Sequence, residues 1–220
     1  MKSLRMKNTL VTLLALLLTL GSFFFAGFVG AAIVTFQLDY EFSGATPPSG
    51  LTPWLTATFD DQDSSGSVEL TMAATNLTDA EHVKEWYFNF AGDPTTLIFS
   101  YDSGADVEAA SINTGTDAFK ADGDGYFDIL FAFGNGDFGE GEESVYSITG
   151  TGITADSFDF FSAPGDGNGS WTTAAHIGGI GPCDQDSGWV GGNPVPIPGA
   201  IWLLGSGLVG LAGFRKKFKK

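Results

Sequence analysis

The sequence predicts an all-β domain, an antiparallel β-sandwich of which a jelly roll is one winding, and three observations predict it. Several segments alternate apolar and polar residues with the period of two that half-buries a strand. The 31 glycines, many beside aspartate, recur between those segments where tight turns are needed. No segment between residues 33 and 190 carries an apolar stripe at the period of a packed helix.

The first strand is "IVTFQLDYEF". Val34, Phe36, Leu38, Tyr40 and Phe42 fall on one side and Thr35, Gln37, Asp39 and Glu41 on the other, which specifies the face that meets the core. By the same rule "SVELTMAAT" turns Val68, Leu70, Met72 and Ala74 inward, and "YFDILFAF" turns Phe127, Ile129, Phe131 and Phe133 inward. Aromatic and β-branched runs make "WLTATF", "EWYFNF", "TTLIFSY", "SVYSIT" and "SFDFFS" further strands, with "WTTAAHI" a weaker one near the end. On this reading the 20 phenylalanines are core residues, and they require no separate aromatic binding surface.

Charge is partitioned along the chain. Lys2, Arg5 and Lys7 stand at the start and Arg215, Lys216, Lys217, Lys219 and Lys220 at the end, while only Lys84 and Lys120 lie between. All 26 acids fall between Asp39 and Asp186. Two bases against 26 acids would repel a phosphate backbone, which excludes nucleic acid as a partner. Basic ends around an acidic middle are expected when both termini face the cytoplasm and the middle is exported. Residues 1–32 read as a signal peptide: basic residues, an uncharged run from Leu10 through Val29, then Gly30, Ala31 and Ala32, where a signal peptidase could cut. The run to Val34 is also long enough to be an uncleaved signal-anchor.

Cys183 is the single cysteine and forms no internal disulfide, so the exported domain, residues 33–190, depends on its core for stability. It reads as a tolerated loop residue in "GIGPCDQDSG", with an intermolecular bridge or reactive thiol as the alternative. Two short matches to the glycosylation sequon, at Asn76 and Asn168, are better explained by chance than by modification.

Two loops have carboxylates at spacings that could hold calcium. In "DDQDSSG", Asp61, Asp63, Ser65 and Gly66 resemble the first half of a calcium loop, but position twelve is Met72, so an EF-hand is excluded. In "ADGDGYFDIL", Asp122, Asp124 and Asp128 stand at i, i+2 and i+6. Calcium wants six to eight oxygens, so a second loop or backbone carbonyls would have to contribute. The alternative in both places is a polar turn. No cofactor beyond this calcium is expected. Catalysis is poorly served: with His82 and His176 the only histidines, no elbow exposes Ser170, and a carboxylate pair can be nominated anywhere among 26 acids. The chain reads as no enzyme.

The end of the chain is different in kind. Residues 191–197 form a Gly/Pro linker, Pro198 to Phe214 are 17 uncharged residues, and 215–220 are basic. As a transmembrane helix the apolar stretch would reach about 25 Å, against a hydrocarbon core of about 30 Å. Arg215, Lys216 and Lys217 would hold the C-terminus inside. Val195, Pro196, Ile197 and Pro198, followed by "GAIWLLGSGLVGLAGF" and "RKKFKK", resemble the PEP-CTERM sorting signal in a variant with V-P-x-P in place of P-E-P. The resemblance implies an exosortase as partner, transient anchoring in the inner membrane of a Gram-negative bacterium with the domain in the periplasm, and delivery to the cell surface or an exopolysaccharide matrix. The cargo domain is similar to others of that group with no established activity, so no site residues transfer. A calcium-dependent glycan-binding module of that matrix is the second expectation, and a hydrolase the third.

Overall fold

The structure, a computed structural model, describes residues 31–134, 136–165 and 169–194. Among them, ten strands form the domain: β1 (Ile33–Glu41), β2 (Leu55–Asp60), β3 (Ser67–Ala73), β4 (His82–Phe88), β5 (Ile98–Tyr101), β6 (Ser111–Lys120), β7 (Tyr126–Ala132), β8 (Glu143–Thr149), β9 (Thr173–Ile180) and β10 (Asp186–Pro194). Two 3₁₀ turns, Pro94–Thr96 and Ala155–Phe158, are the helical elements. The expected signal peptide, the expected sorting residues Val195 to Pro198, the expected transmembrane helix and the basic tail lie outside the described residues, apart from Ala31 and Ala32. No helix among the described residues is long and apolar enough to cross a membrane.

The predicted all-β class is observed, with every pairing antiparallel. The strands make one curled sheet in the order β5-β8-β3-β2-β1-β10-β9-β4-β7-β6. The first and last strands pair at its middle, Phe36 opposite Pro194 and Glu41 opposite Val190. The sheet curls so that its two halves face each other, as layers of a sandwich do. Phe99 of β5 and Tyr146 of β8 meet Phe131 of β7 at ring-centroid distances of 5.6 and 5.1 Å, and Phe59 of β2 meets Phe88 of β4 at 5.2 Å.

Phe36, Leu38, Leu70, Met72, Trp86 and Phe131 are fully buried in the main core between the halves. The inward set of β3 is as predicted, and Val34, Phe36 and Leu38 of β1 also face in. Tyr40 and Phe42 do not. Leu38 pairs with Gly192 and Tyr40 with Gly191, so Asp39 is an extra residue in β1. Such a bulge shifts the alternation by one and re-aims every side chain beyond it. Tyr40 is therefore 58% exposed, and Phe42 packs on a second cluster on the opposite face of the sheet. Phe127 joins that cluster too, with Tyr87, Ala121 and Ala174, while Ile129, Phe131 and Phe133 stay in the main core.

"SFDFFS" is no strand. Ser157 N donates to Thr154 O, and Thr154 N to Ser157 Oγ, closing a 3₁₀ turn that drops Phe158 onto Phe59 with rings 13° from parallel. In the other direction, β6 and β10 are strands without an alternation that announces them. β10, "DSGWVGGNP", extends past residue 190 through residues expected to be linker.

Candidate functional site

The calcium-candidate carboxylates are placed as follows. The loop between β2 and β3 is the polar hairpin turn, with Gln62 and Asp63 in the left-handed region at φ of 49° and 61°. Asp61 is buried and its Oδ1 accepts from Ala32 N at 2.9 Å, tying the loop to the start of β1. Asp61 lines a small cavity of about 100 Å³ with Asp60, Glu69 and Ser147, whereas Asp63 is exposed. In the β6–β7 turn, Gly123 N and Asp124 N both donate to Ala121 O, Asp122 is exposed, and Asp124 is buried. Asp128 points elsewhere. Its Oδ2 accepts from Phe90 N at 2.9 Å and its Oδ1 from Asp117 N at 2.8 Å, so the carboxylate pins the irregular segment of β6 between Thr114 and Phe119. Among the described residues, no three His, Cys, Asp or Glu side chains converge to hold a metal ion.

A larger cavity, about 360 Å³, opens among loops at one end of the sheet, lined by Asp79, Glu81, His82, Gly179 and Asp184 among others. Glu81 is spent on structure, accepting from Ser49 N at 2.6 Å and from Thr78 N at 3.0 Å. His82 Nδ1 bonds Ala80 O at 2.9 Å, so Nδ1 carries the proton. Its Nε2 is buried, and the space above Gly178 beside it is filled by the Lys84 side chain. Cys183 is exposed on the neighbouring turn. At Asn76, the first sequon, the side-chain amide donates to Pro53 O at 2.8 Å.

The most distinctive arrangement is on the outer face of β1, β10, β9 and β4. Neighbouring strands place Tyr40, Gly191, Ala174 and Tyr87 in one row across the sheet, and Trp189, His176 and Glu85 in the next. Small residues at 174 and 191 leave room for Trp171, which enters from the segment before β9. A Cβ on Gly191 would come within 2.7 Å of the Trp171 ring. Trp171 stacks with Tyr40 at 5.5 Å and with Phe42 at 5.1 Å; Phe42 then meets Trp189 at 6.5 Å, and Trp189 stacks on His176 at 4.6 Å. Five rings form a continuous series.

One carboxylate, Glu85, lies in the second row of this face, whereas Glu41 pairs with the core residue Val190 and so projects from the other face of the sheet. Glu41 accepts from Ser43 N, from the Ser43 hydroxyl and from Gly44 N, while Ser43 Oγ accepts from Trp189 N at 3.2 Å. Glu85 Oε2 lies 3.7 Å from His176 Nδ1, an ion-pair distance, and accepts from Tyr87 Oη at 2.7 Å. His176 and then the Tyr87 hydroxyl hold the Glu85 carboxyl below its ordinary value, outweighing the opposing effect of burial. Burial, and then the bond to Glu85, push the Tyr87 phenol up, so it remains a donor. The backbone of the segment that carries the exposed Phe160 and Phe161 is bonded to that of Trp171, since Ser162 N donates to Trp171 O at 2.8 Å and Asn89 Nδ2 donates to both Phe160 O and Trp171 O.

Sequence reasoning missed this face because it assigned the aromatics to the core. Its signal was present in the small residues of "TTAAHIGG" and "SGWVGG": strands with so few large side chains leave space that Trp171 and Trp189 fill. Compared with protein-family models, curated proteins and solved structures, the chain matches none.

Proposed function

We propose that this chain is an exported, non-enzymatic protein of the cell surface or extracellular matrix, sorted by an exosortase through its C-terminal signal. The observation that carries the reading is the partition of charge and hydropathy: every acid between Asp39 and Asp186, then Val195-Pro196-Ile197-Pro198, an apolar stretch to Phe214, and a basic tail. On this reading the signal peptide brings the domain to the periplasm, the short apolar helix holds it in the inner membrane, and the exosortase releases or transfers it. Intact-mass analysis of the mature protein, with and without a co-expressed exosortase, tests the proposal. Loss of the residues after the Val195–Pro198 motif in the enzyme's presence is the expected result; a retained "RKKFKK" in both samples would leave a plain membrane anchor.

A second reading, a glycan-binding module, is favoured by one observation: a series of stacked aromatic rings, ending in the exposed Tyr40, lies with Glu85 on the outer face of the sheet. Those rings supply a contact that asks no calcium ion. The same preparation tested for sugar binding distinguishes a purely structural surface protein from a module that grips the matrix.

A further inference from the structure

At the start of β1, Ala32 N donates to Asp61 Oδ1 at 2.9 Å and Asp61 N donates back to Ala32 O at 3.2 Å. Ala32 thus continues the β1–β2 ladder one residue before the Ile33–Asp60 pair. Asp61 is only 6% exposed. It lines the cavity of about 100 Å³ with Asp60 and Glu69, which stand directly opposite each other on β2 and β3, and no lysine or arginine is among the lining residues. Like charges opposed across neighbouring strands repel, and a buried carboxylate is best met by an opposite charge. A cation where Ala32 N stands would answer all three carboxylates.

The chain can make that cation from itself. Gly30, Ala31 and Ala32 are all small enough for a signal peptidase, so the sequence leaves the cut open among them. Hydrolysis of the Ala31–Ala32 bond adds one water, leaves a carboxylate on Ala31, and turns Ala32 N into an α-ammonium at the position that meets Asp61 Oδ1. A cut after Gly30 would set the charge one residue beyond that position. A cut after Ala32 would remove the residue that meets Asp61.

We infer that the signal peptide is removed between Ala31 and Ala32, one residue before the boundary expected from the sequence, and that the new α-ammonium of Ala32 locks onto the Asp61 carboxylate. The inference rests on the exported reading and fixes its mature N-terminus. An ammonium on a carboxylate is a charge-assisted bond, stronger than the amide bond it replaces, so loss of the signal peptide tightens the first strand of the domain.

The test uses the full-length chain expressed with its own N-terminal segment in an exporting bacterium and purified in non-ionic detergent. N-terminal sequencing is expected to read Ala32, Ile33, Val34. A start at Ala31 or Ile33 would overturn the inference with export left standing, and a retained Met1 would overturn the cleaved signal peptide as well; C-terminal processing is read separately by intact mass. In NMR of the alanine methyl groups, Ala32 should titrate above the ordinary α-amino range of about 7.7–8.0, and titration at or below that range would overturn the ion pair. Asp60, Asp61 and Glu69 are the titratable side chains lining the cavity beside it. An amine raised by folding stabilises fully below its unfolded value and loses that contribution as pH rises through the folded one. Between about pH 6 and about pH 10 the wild type should therefore lose about 3–6 °C more in melting temperature than Asp61→Asn. Equal losses would also overturn the pair, and if Asp61→Asn does not fold, the methyl titration decides.

Discussion

The imidazole of His176 lies within 4° of parallel to the indole of Trp189, centroids 4.6 Å apart, with Glu85 Oε2 3.7 Å from His176 Nδ1 on the neighbouring strand. A register shift in β4 between Val83 and Glu85 brings Glu85 opposite His176. This contact links the aromatic face to pH.

Because the Glu85 carboxyl is held below its ordinary value of 4.5, the folded chain ionises it more readily than the unfolded chain does. That stabilisation is complete above the unfolded value and is lost as pH falls through the folded one. Thermal melts from about pH 5 down to about pH 3 should therefore fall more steeply for the wild type than for Glu85→Gln. Parallel curves would show that the pair contributes nothing.

Trp86 Nε1 donates to Thr173 Oγ1 at 2.9 Å, and that hydroxyl donates to Tyr87 O at 2.8 Å, all within the buried sheet. Thr173→Val keeps the shape and strands both partners. A loss of about 1–3 kcal/mol is expected from a buried polar group left unsatisfied, read as a lower urea midpoint at unchanged m-value.

Asp128→Ala should leave Phe90 N and Asp117 N without their acceptor, each costing about 1–3 kcal/mol. The loss should be the same with and without millimolar calcium, because the carboxylate is bonded to backbone. A calcium-dependent rise in the melting temperature of the wild type that vanishes in the variant would instead place a cation there.

Gly179 is the extra residue where β9 pairs with β10, at φ 74°, and a Cβ there would come within 2.0 Å of Ala80 O. Gly179→Ala adds left-handed backbone strain to a clash with main chain, so a loss of at least about 1–3 kcal/mol is expected. Differential scanning calorimetry checks it; a variant that melts with the wild type would mean that the β3–β4 loop moves freely aside.

Alternation carried the reading of the chain wherever strands were regular. Val68, Leu70, Met72 and Ala74 were legible because nothing interrupts β3, and β2, β4, β8 and β9 stand where their aromatic and β-branched runs lie. Bulges defeated it. Nothing local in "LDYEF" announces that Asp39 is skipped in the pairing, so unbroken alternation puts Tyr40 and Phe42 on the wrong face and hides the aromatic surface. "SFDFFS" failed for a related reason: one residue in it, Phe158, is wanted by Phe59, and a 3₁₀ turn delivers that side chain as well as a strand would. In the calcium candidates the spacing of Asp122, Asp124 and Asp128 was visible, but the backbone amides that occupy Asp128 come from Phe90 and Asp117, which no spacing rule reaches.

By itself the sequence determined the all-β class, the inward faces of the unbroken strands, and the separation of an acidic middle from basic ends. These follow from local period and from composition, which need no knowledge of partners. Only the tertiary structure decided that β1 pairs with β10 at the middle of the sheet, that the sheet curls until Phe131 meets Tyr146, and that Trp171 settles over Gly191 on the outer face. Each of those depends on a contact between residues far apart in the chain, where the energy lies in a fit between two surfaces and neither surface alone reveals it.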